Sequence, residues 1–524
     1  LTISIIFGGI LEMFSLSSII PLLVIISDSS KIWEIPYISN IFRILGIYES
    51  DHILLATTIL FIMGAIISTS VRIFSVWISS KMAALVGNDF SYQIFKNILN
   101  QEYEYHTNTN SSKLLSIITT KLNYLVVVIN LLLQMIASTI LSCALLLFLL
   151  IYKPLIAMTV YAICVIAYIS ISIIAKKRLD LNGIEIEKYG PVQIRIVQEL
   201  LGGIRDIIMI GRPVIYQEGY KKADKILRLR AANNSIIAGT PKYIIELIGL
   251  TLISILAYAF TKQGETGLVI IPTLGTLAIA SQRLLPSFQI IYTSWSRIRS
   301  YTPSIHEVME LFELKTNIRD DSNRNKRIEM KNSIVFKNVY FKYKGSEKFI
   351  LKDVSFEIKK GECIGIKGET GAGKSTIIDL IIGLLKPTKG RILVDDIDIN
   401  KDKESNILNS WRSSISIVSQ KLFLIDNSIK NNIAIGLYKK EIDIDKIKKA
   451  AKTAHIDKFI ESSPDGYETI VGEQGVKLSG GQIQRIGIAR ALYRQCNILV
   501  FDEATSALDA ITESLVMDSL NSIK

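Results

Sequence analysis

The sequence predicts an all-α, six-helix transmembrane domain over residues 1–300 and an α/β domain over residues 331–524, joined by a linker at 301–330. Three observations predict it. Mean hydropathy is +0.35, high for a water-soluble chain. The apolar residues gather before residue 300 in long stretches almost free of charge. After residue 330 they fall in short runs between charged residues, the mixed pattern of a soluble fold.

A membrane helix needs about 20 apolar residues to cross roughly 30 Å of hydrocarbon. Residues 2–27, 53–80, 122–152, 154–175, 243–261 and 268–295 qualify. Glu246 and Arg283 interrupt the last two, and Pro272 and Pro286 punctuate the sixth. The first run begins at Leu1 with no basic segment before it, so it reads as a span preceded by further sequence, not as a signal peptide.

Charge orders these spans. The connection 176–242 carries thirteen Lys and Arg, and 81–121 also leans basic, whereas 28–52 and 262–267 carry few. The basic connections, and with them both termini, are expected in the cytoplasm. That placement accounts for the net charge of +12, so nucleic-acid binding is not expected. Four scattered cysteines with no CxxC pair support neither a metal site nor a disulfide framework. Helical spacing through Ser80–Leu99 and Ile184–Leu201 predicts membrane helices that continue into the cytosol. Within 31–49, Ile38, Ile41, Phe42 and Leu45 share one helical face, predicting a short amphipathic helix at the outer surface.

The linker is charged and apolar-poor through Ile318–Arg327. Ile334–Phe341, Val354–Ile358 and Cys363–Lys367 read as strands. The third leads into Gly368-Glu-Thr-Gly-Ala-Gly-Lys-Ser-Thr376, a phosphate-loop pattern followed by an apolar helix. Gly368, Gly371 and Gly373 let backbone N–H groups close around phosphate at a helix N-terminus. Lys374 would reach the outer phosphates, Ser375 would ligate Mg²⁺, and Thr376 completes the loop. Downstream, the apolar run Ile498–Phe501 delivers Asp502 and Glu503. Asp502 suits the Mg²⁺, and Glu503 suits polarising the attacking water.

Between them stands Leu478-Ser-Gly-Gly-Gln482, followed by Gln484-Arg485. On these residues the chain resembles an ABC exporter half-transporter, and the soluble half resembles a P-loop ABC ATPase domain. The resemblance makes Ser479, Gly480, Gly481 and Gln482 the signature that meets ATP held by a partner. It makes Tyr343 the residue stacking on adenine and Asp509 part of the D-loop. Gln420 becomes the Q-loop glutamine, shared between the Mg²⁺ and the catalytic group with Glu503. Thr469–Gly475 resembles the segment that senses the coupling helices, which are expected near Thr109–Ile117 and Ile207–Arg212. The family's switch histidine lies downstream of the D-loop, so the resemblance implies a domain continuing beyond Lys524.

The implied activity is ATP hydrolysis coupled to transport, with ATP and Mg²⁺ as cofactors. The implied assembly is two copies of the chain in the cytoplasmic (inner) membrane, in contact with its lipids, with the ATPase domain in the cytoplasm. The membrane half resembles bacterial flippases of lipid-linked oligosaccharides through Gly9–Phe14, Ile20–Leu22, the outer amphipathic segment and Arg283–Phe288. An anionic glycolipid is the substrate this implies, with Arg72 and Arg283 as candidate contacts to its pyrophosphate. Two bland readings stand beside that one: Arg72 snorkels to the interface, and Arg283 pairs with Glu12 or Glu246. The alternative function is export of peptides or hydrophobic drugs.

Overall fold

The structure is a computed structural model that describes residues 2–18, 22, 25, 50–152, 154–262, 267–314, 327–401, 407–504 and 506–523. The chain divides into two compact units, Leu1–Leu99 with Thr109–Lys315, and Asn100–Asn108 with Thr316–Lys524. The expected outer helix within 31–49 lies outside the described residues.

The first unit is helical. Its elements are α1 (Thr2–Ser17), α2 (Ser50–Leu99), α4 (Ser111–Ser116), α5 (Leu122–Tyr152), α6 (Pro154–Gly202), α7 (Ile204–Ile210), α8 (Val214–Lys262) and α9 (Gly267–Phe312). A π-helical turn, Ile117–Lys121, joins α4 to α5. Four described stretches are long and apolar enough to cross a membrane: His52–Leu99, Ser111–Ile151, Ala157–Gly202 and Val214–Lys262. Ile5–Ser15 is a shorter apolar helix. Among the described residues, therefore, four of the six expected spans meet that standard. Helix α9 also runs to Phe312, into the region read as linker.

Helix α9 packs along α5, and α8 along α6. Leu145, Phe148, Leu149, Leu277 and Leu284 form one buried cluster. Only 6–28% of each spanning window is buried within the chain, which leaves its apolar surface to lipid or another protein.

The second unit contains α3 (Tyr103–Asn108), a short helix cut from the loop after α2. Its antiparallel sheet has the order β2 (Leu351–Lys359), β1 (Ser333–Phe341), β3 (Lys389–Val394), β4 (Ile397–Asp398). Ile334 and Phe336 alternate inward along β1, and a register shift after Phe336 turns Val339 and Phe341 inward as well. Gly390 has φ +85°, and a Cβ there would sit 2.2 Å from Asn338 O, so only glycine permits this strand approach. Parallel strands β5 (Ile415–Val418) and β6 (Ile498–Phe501) form a second sheet. The helices are α10 (Lys374–Ile381), α11 (Ile407–Ser413), α12 (Ile429–Ile433), α13 (Ile444–Thr453), α14 (Asp457–Ser462), α15 (Gly480–Tyr493) and α16 (Ala510–Ile523). Trp411 is fully buried and donates from Nε1 to Ile381 O across 2.7 Å, pinning α11 to the end of α10. The expected strand Cys363–Lys367 forms no ladder, and Ile364 and Ile366 are exposed. An apolar run becomes a strand only when a neighbour pairs with its backbone, and no described strand does so here.

Candidate active site

The phosphate loop is shaped by two glycines in the left-handed region, Gly371 at φ +84° and Gly373 at φ +92°. Gly373 caps α10, and a Cβ there would meet Leu351 Cδ2 at 2.9 Å. The side chain of Lys374 curls back to donate to Gly368 O at 2.7 Å and Glu369 O at 3.2 Å. This loop holds a cation against its own carbonyls, and the first N–H groups of α10 have no intrahelical partner, a donor set that fits a phosphate chain. Ser375 is exposed at the helix start and Thr376 is buried. The Tyr343 hydroxyl lies 3.5 Å from Thr376 Oγ1, beside the loop.

Strand β6 carries the acidic pair to the same place. The Asp502 N–H donates to Val418 O at 3.0 Å, fixing the end of β6 to β5. Gln420 follows β5 and donates from Nε2 to Glu503 Oε2 at 2.5 Å. Glu503 itself has φ +50°, an uncommon backbone for a non-glycine residue and one concentrated at functional sites. Burial raises the Asp502 carboxyl, Glu503 raises it further, and Lys374 opposes both. Lys374 is thus close enough to be felt by Asp502. Asp502, Glu503, Gln420 and the Ser375 hydroxyl make an oxygen-rich set that fits a hard divalent cation, so Mg²⁺ is compatible with these residues.

Residues 479–482 form a separate group. Ser479 caps α15, accepting from the Gln482 N–H at 3.3 Å while its own N–H donates to Gln482 Oε1 at 2.8 Å. A Cβ on Gly481 would lie 3.2 Å from Ala507 O, so glycine lets the loop through Ala507 pass closely. Gln484 secures that loop, donating to Ser506 Oγ at 3.2 Å and accepting from the Ala507 N–H at 3.0 Å. Asp509 accepts from the Thr512 N–H at 3.0 Å, and its hydrogen bonds to Thr512 hold its carboxyl below the usual range. Among the described residues, no hydrogen bond joins Ser479–Gln482 to the phosphate loop.

Two features escaped sequence reasoning. Burial and then Asp502 raise Asp379, on α10, to about 6. No motif marks it, because its setting depends on β6 arriving from more than a hundred residues away. The other is Asn100–Asn108, which joins the ATPase unit in place of the expected Thr109–Ile117. Glu102 pairs with Lys386, and Glu104 accepts from the Lys344 N–H at 2.9 Å. These acidic side chains find cationic and N–H partners on the ATPase unit, whereas α4 beyond them belongs to the helical unit. Burial, Asp379 and Tyr343 together raise the Tyr103 hydroxyl.

In the membrane half, Arg283 Nη1 donates to Glu12, which is buried. Glu246 and Arg72 are both exposed on their helices. Arg283 and Arg72 are not brought into one site by any described contact.

A glycine-rich loop before a helix, a strand-borne acidic pair and a serine-capped helix thus stand in one chain with helices long and apolar enough to cross a membrane. The chain belongs to the ABC transporter family: residues 351–506 match the ABC transporter model, and residues 1–278, more than half the chain, match the ABC transporter transmembrane region. A Bacillus subtilis ATP-binding/permease protein named for multidrug export is 40% identical over 220 residues, covering 42% of this chain and 37% of that protein. An ATP-dependent lipid A-core flippase of Haemophilus influenzae is 30% identical over 331 residues, 62% of this chain and 55% of the flippase. The one from Coxiella burnetii is 28% identical over 466 residues, 86% of this chain and 75% of that protein. The chain thus spans between about a third and about half the length of the first two relatives. A bacterial Atm1-family ABC exporter, solved with ATP bound, shares the fold with a TM-score of 0.77 at 24% identity, covering 96% of this chain and 87% of that one.

Proposed function

We propose that the protein is an ATP-driven exporter that moves a lipid-linked oligosaccharide, or a similar anionic glycolipid, across the cytoplasmic membrane. The observation that carries the ATPase part is the Gln420–Glu503 hydrogen bond beside Asp502 and the Lys374 loop. In this reading Gly368, Gly371, Gly373, Lys374, Ser375 and Thr376 hold the phosphates, and Tyr343 faces the base. Ser375, Asp502 and Gln420 hold Mg²⁺, and Glu503 takes the proton of the attacking water. The nucleotide supplies the phosphoryl group whose cleavage drives the cycle.

Ser479, Gly480, Gly481, Gln482 and Asp509 then complete the site of a second copy, making the working unit a homodimer with six spans per copy. Helix α7 supports a partner for the helical unit too: Ile208 and Met209 are 70% and 80% exposed in a connection expected to be cytoplasmic. The lipid A-core flippases among the relatives support a lipid substrate. Arg72 and Arg283 are the proposed contacts to its pyrophosphate. Arg283 keeps N–H donors beyond the one directed at Glu12, because a guanidinium has five.

The second reading, export of hydrophobic drugs or peptides, is supported by the Bacillus relative named for multidrug export. Translocation in proteoliposomes containing the full-length protein separates the two. Lipid-linked oligosaccharide should reach the opposite leaflet only with ATP and Mg²⁺. Movement of neutral drugs or peptides without glycolipid would overturn the flippase reading and leave the exporter.

A further inference from the structure

A cavity of about 520 Å³ opens among α5, α6, α8 and α9 and is rich in polar side chains. Its size falls within the roughly 300–1,000 Å³ usual for small-molecule sites. One wall is braced by charge. Lys121, whose side chain is 3% exposed, sits between the carboxylates of Glu187 and Glu307, and Ser304 Oγ donates to Glu187 Oε2 at 2.7 Å. Lys121 ends the π-helical turn, a rare local widening of the helix that recurs at functional sites. Another wall is braced by amides: Asn182 donates to Asn234 Oδ1 at 2.7 Å, and Asn234 donates to Ser300 Oγ at 2.7 Å.

Two features on this braced wall are left without partners. Ser296 is 1% exposed, and its hydroxyl has no hydrogen-bond partner among the described residues. A buried, unbonded hydroxyl is costly and calls for an explanation. Tyr124 and Tyr301 stack with centroids 4.6 Å apart, and among the described residues neither phenol oxygen is hydrogen-bonded. The wall therefore offers aromatic surface, free hydroxyls and one carboxylate. Of its cations, Lys121 is answered by two glutamates and Arg228 by Asp224 at 2.7 Å, while Arg297 has no ion pair among the described residues. One guanidinium is a thin complement for a pyrophosphate, and its N–H groups can equally donate to sugar hydroxyls. A pyranose needs groups that both donate and accept, plus an apolar surface for its C–H face.

We propose that this cavity is a saccharide site that takes the sugar portion of a glycolipid, or a free oligosaccharide; the first of these rests on the glycolipid reading above. The sugar hydroxyls bond Ser296 Oγ, the two phenols and the Glu187 carboxylate, and a C–H face packs on the tyrosine pair.

The test uses full-length protein in nanodiscs and saturation-transfer NMR. The probes are neutral disaccharides of the gluco, galacto and N-acetylamino series, inorganic pyrophosphate, and a polyprenyl-linked trisaccharide as competitor. At least one disaccharide should bind, and Ser296→Ala should weaken it about tenfold without lowering Tm. Tyr301→Phe, which keeps the stack, should weaken it similarly. Competition by the trisaccharide identifies the glycolipid as the source of the sugar, and its absence identifies a free sugar. The proposal is overturned if no disaccharide binds, if pyrophosphate alone binds, or if both variants bind like the parent. Sugar binding without glycolipid transport would leave the site standing and sink the flippase reading, and transport without sugar binding would do the reverse.

Discussion

Arg283 on α9 closes its guanidinium on the carboxylate of Glu12, a residue of α1 that lies 271 positions earlier in the chain. The carboxylate is almost completely buried, with 6% of its side chain exposed. Removing the arginine alone should strand a buried charge and cost about 3 kcal/mol, seen as a lower Tm of the detergent-solubilised protein. Glu12→Gln combined with Arg283→Gln should recover most of that loss. If the double variant is as stable as the parent yet fails to transport glycolipid, Arg283 also serves the substrate. Equal Tm in Arg283→Ala and the parent would show that the ion pair contributes nothing to the fold.

The acidic pair predicts a division of labour. In full-length protein, Glu503→Gln should bind ATP normally and slow its hydrolysis by a factor on the order of 10² to 10⁴. Lys374→Ala should instead weaken nucleotide capture, read by equilibrium binding of a labelled nucleotide. Gln420→Ala should slow turnover less than Glu503→Gln, since Gln420 orients the carboxylate and does not take the proton. Parent-rate hydrolysis in Glu503→Gln would assign the base elsewhere.

Asp379 supplies a pH test. Its pKa in the fold is raised from 3.8 to about 6, chiefly by burial. The folded state therefore binds more protons than the unfolded chain between about pH 4 and 6, and stability from this group falls as pH rises through that window. Asp379→Asn should raise Tm at pH 7.5 in nucleotide-free protein, with the gain shrinking as pH drops toward 4. An identical gain at both pH values would show that the carboxyl does not titrate with folding.

Glu102 and Glu104 tie the segment around α3 to the ATPase unit. The Lys386–Glu102 pair is half-exposed, so its loss should change stability by no more than about 1 kcal/mol. The double variant Glu102→Ala, Glu104→Ala should nonetheless lower the number of substrate molecules moved per ATP hydrolysed. An unchanged ratio would make this contact a surface accident.

The glycine turn before α10, the acidic end of β6 and the Ser479 cap were legible in the chain because each is a local device. A glycine turn before a helix, an apolar strand ending in acids and a serine capping a helix are all specified within a few residues. The long apolar runs were legible for the same reason, since length and hydropathy are local properties. Tertiary structure decided what those elements meet. It paired Arg283 with Glu12 and not Glu246, set Lys121 between glutamates of α6 and α9, and raised Asp379 by bringing β6 alongside α10. It also assigned Asn100–Asn108, ahead of the expected stretch, to the ATPase unit. A charge's partner and a carboxyl's pKa depend on which distant groups share its burial, and a single sequence carries no local signal for that.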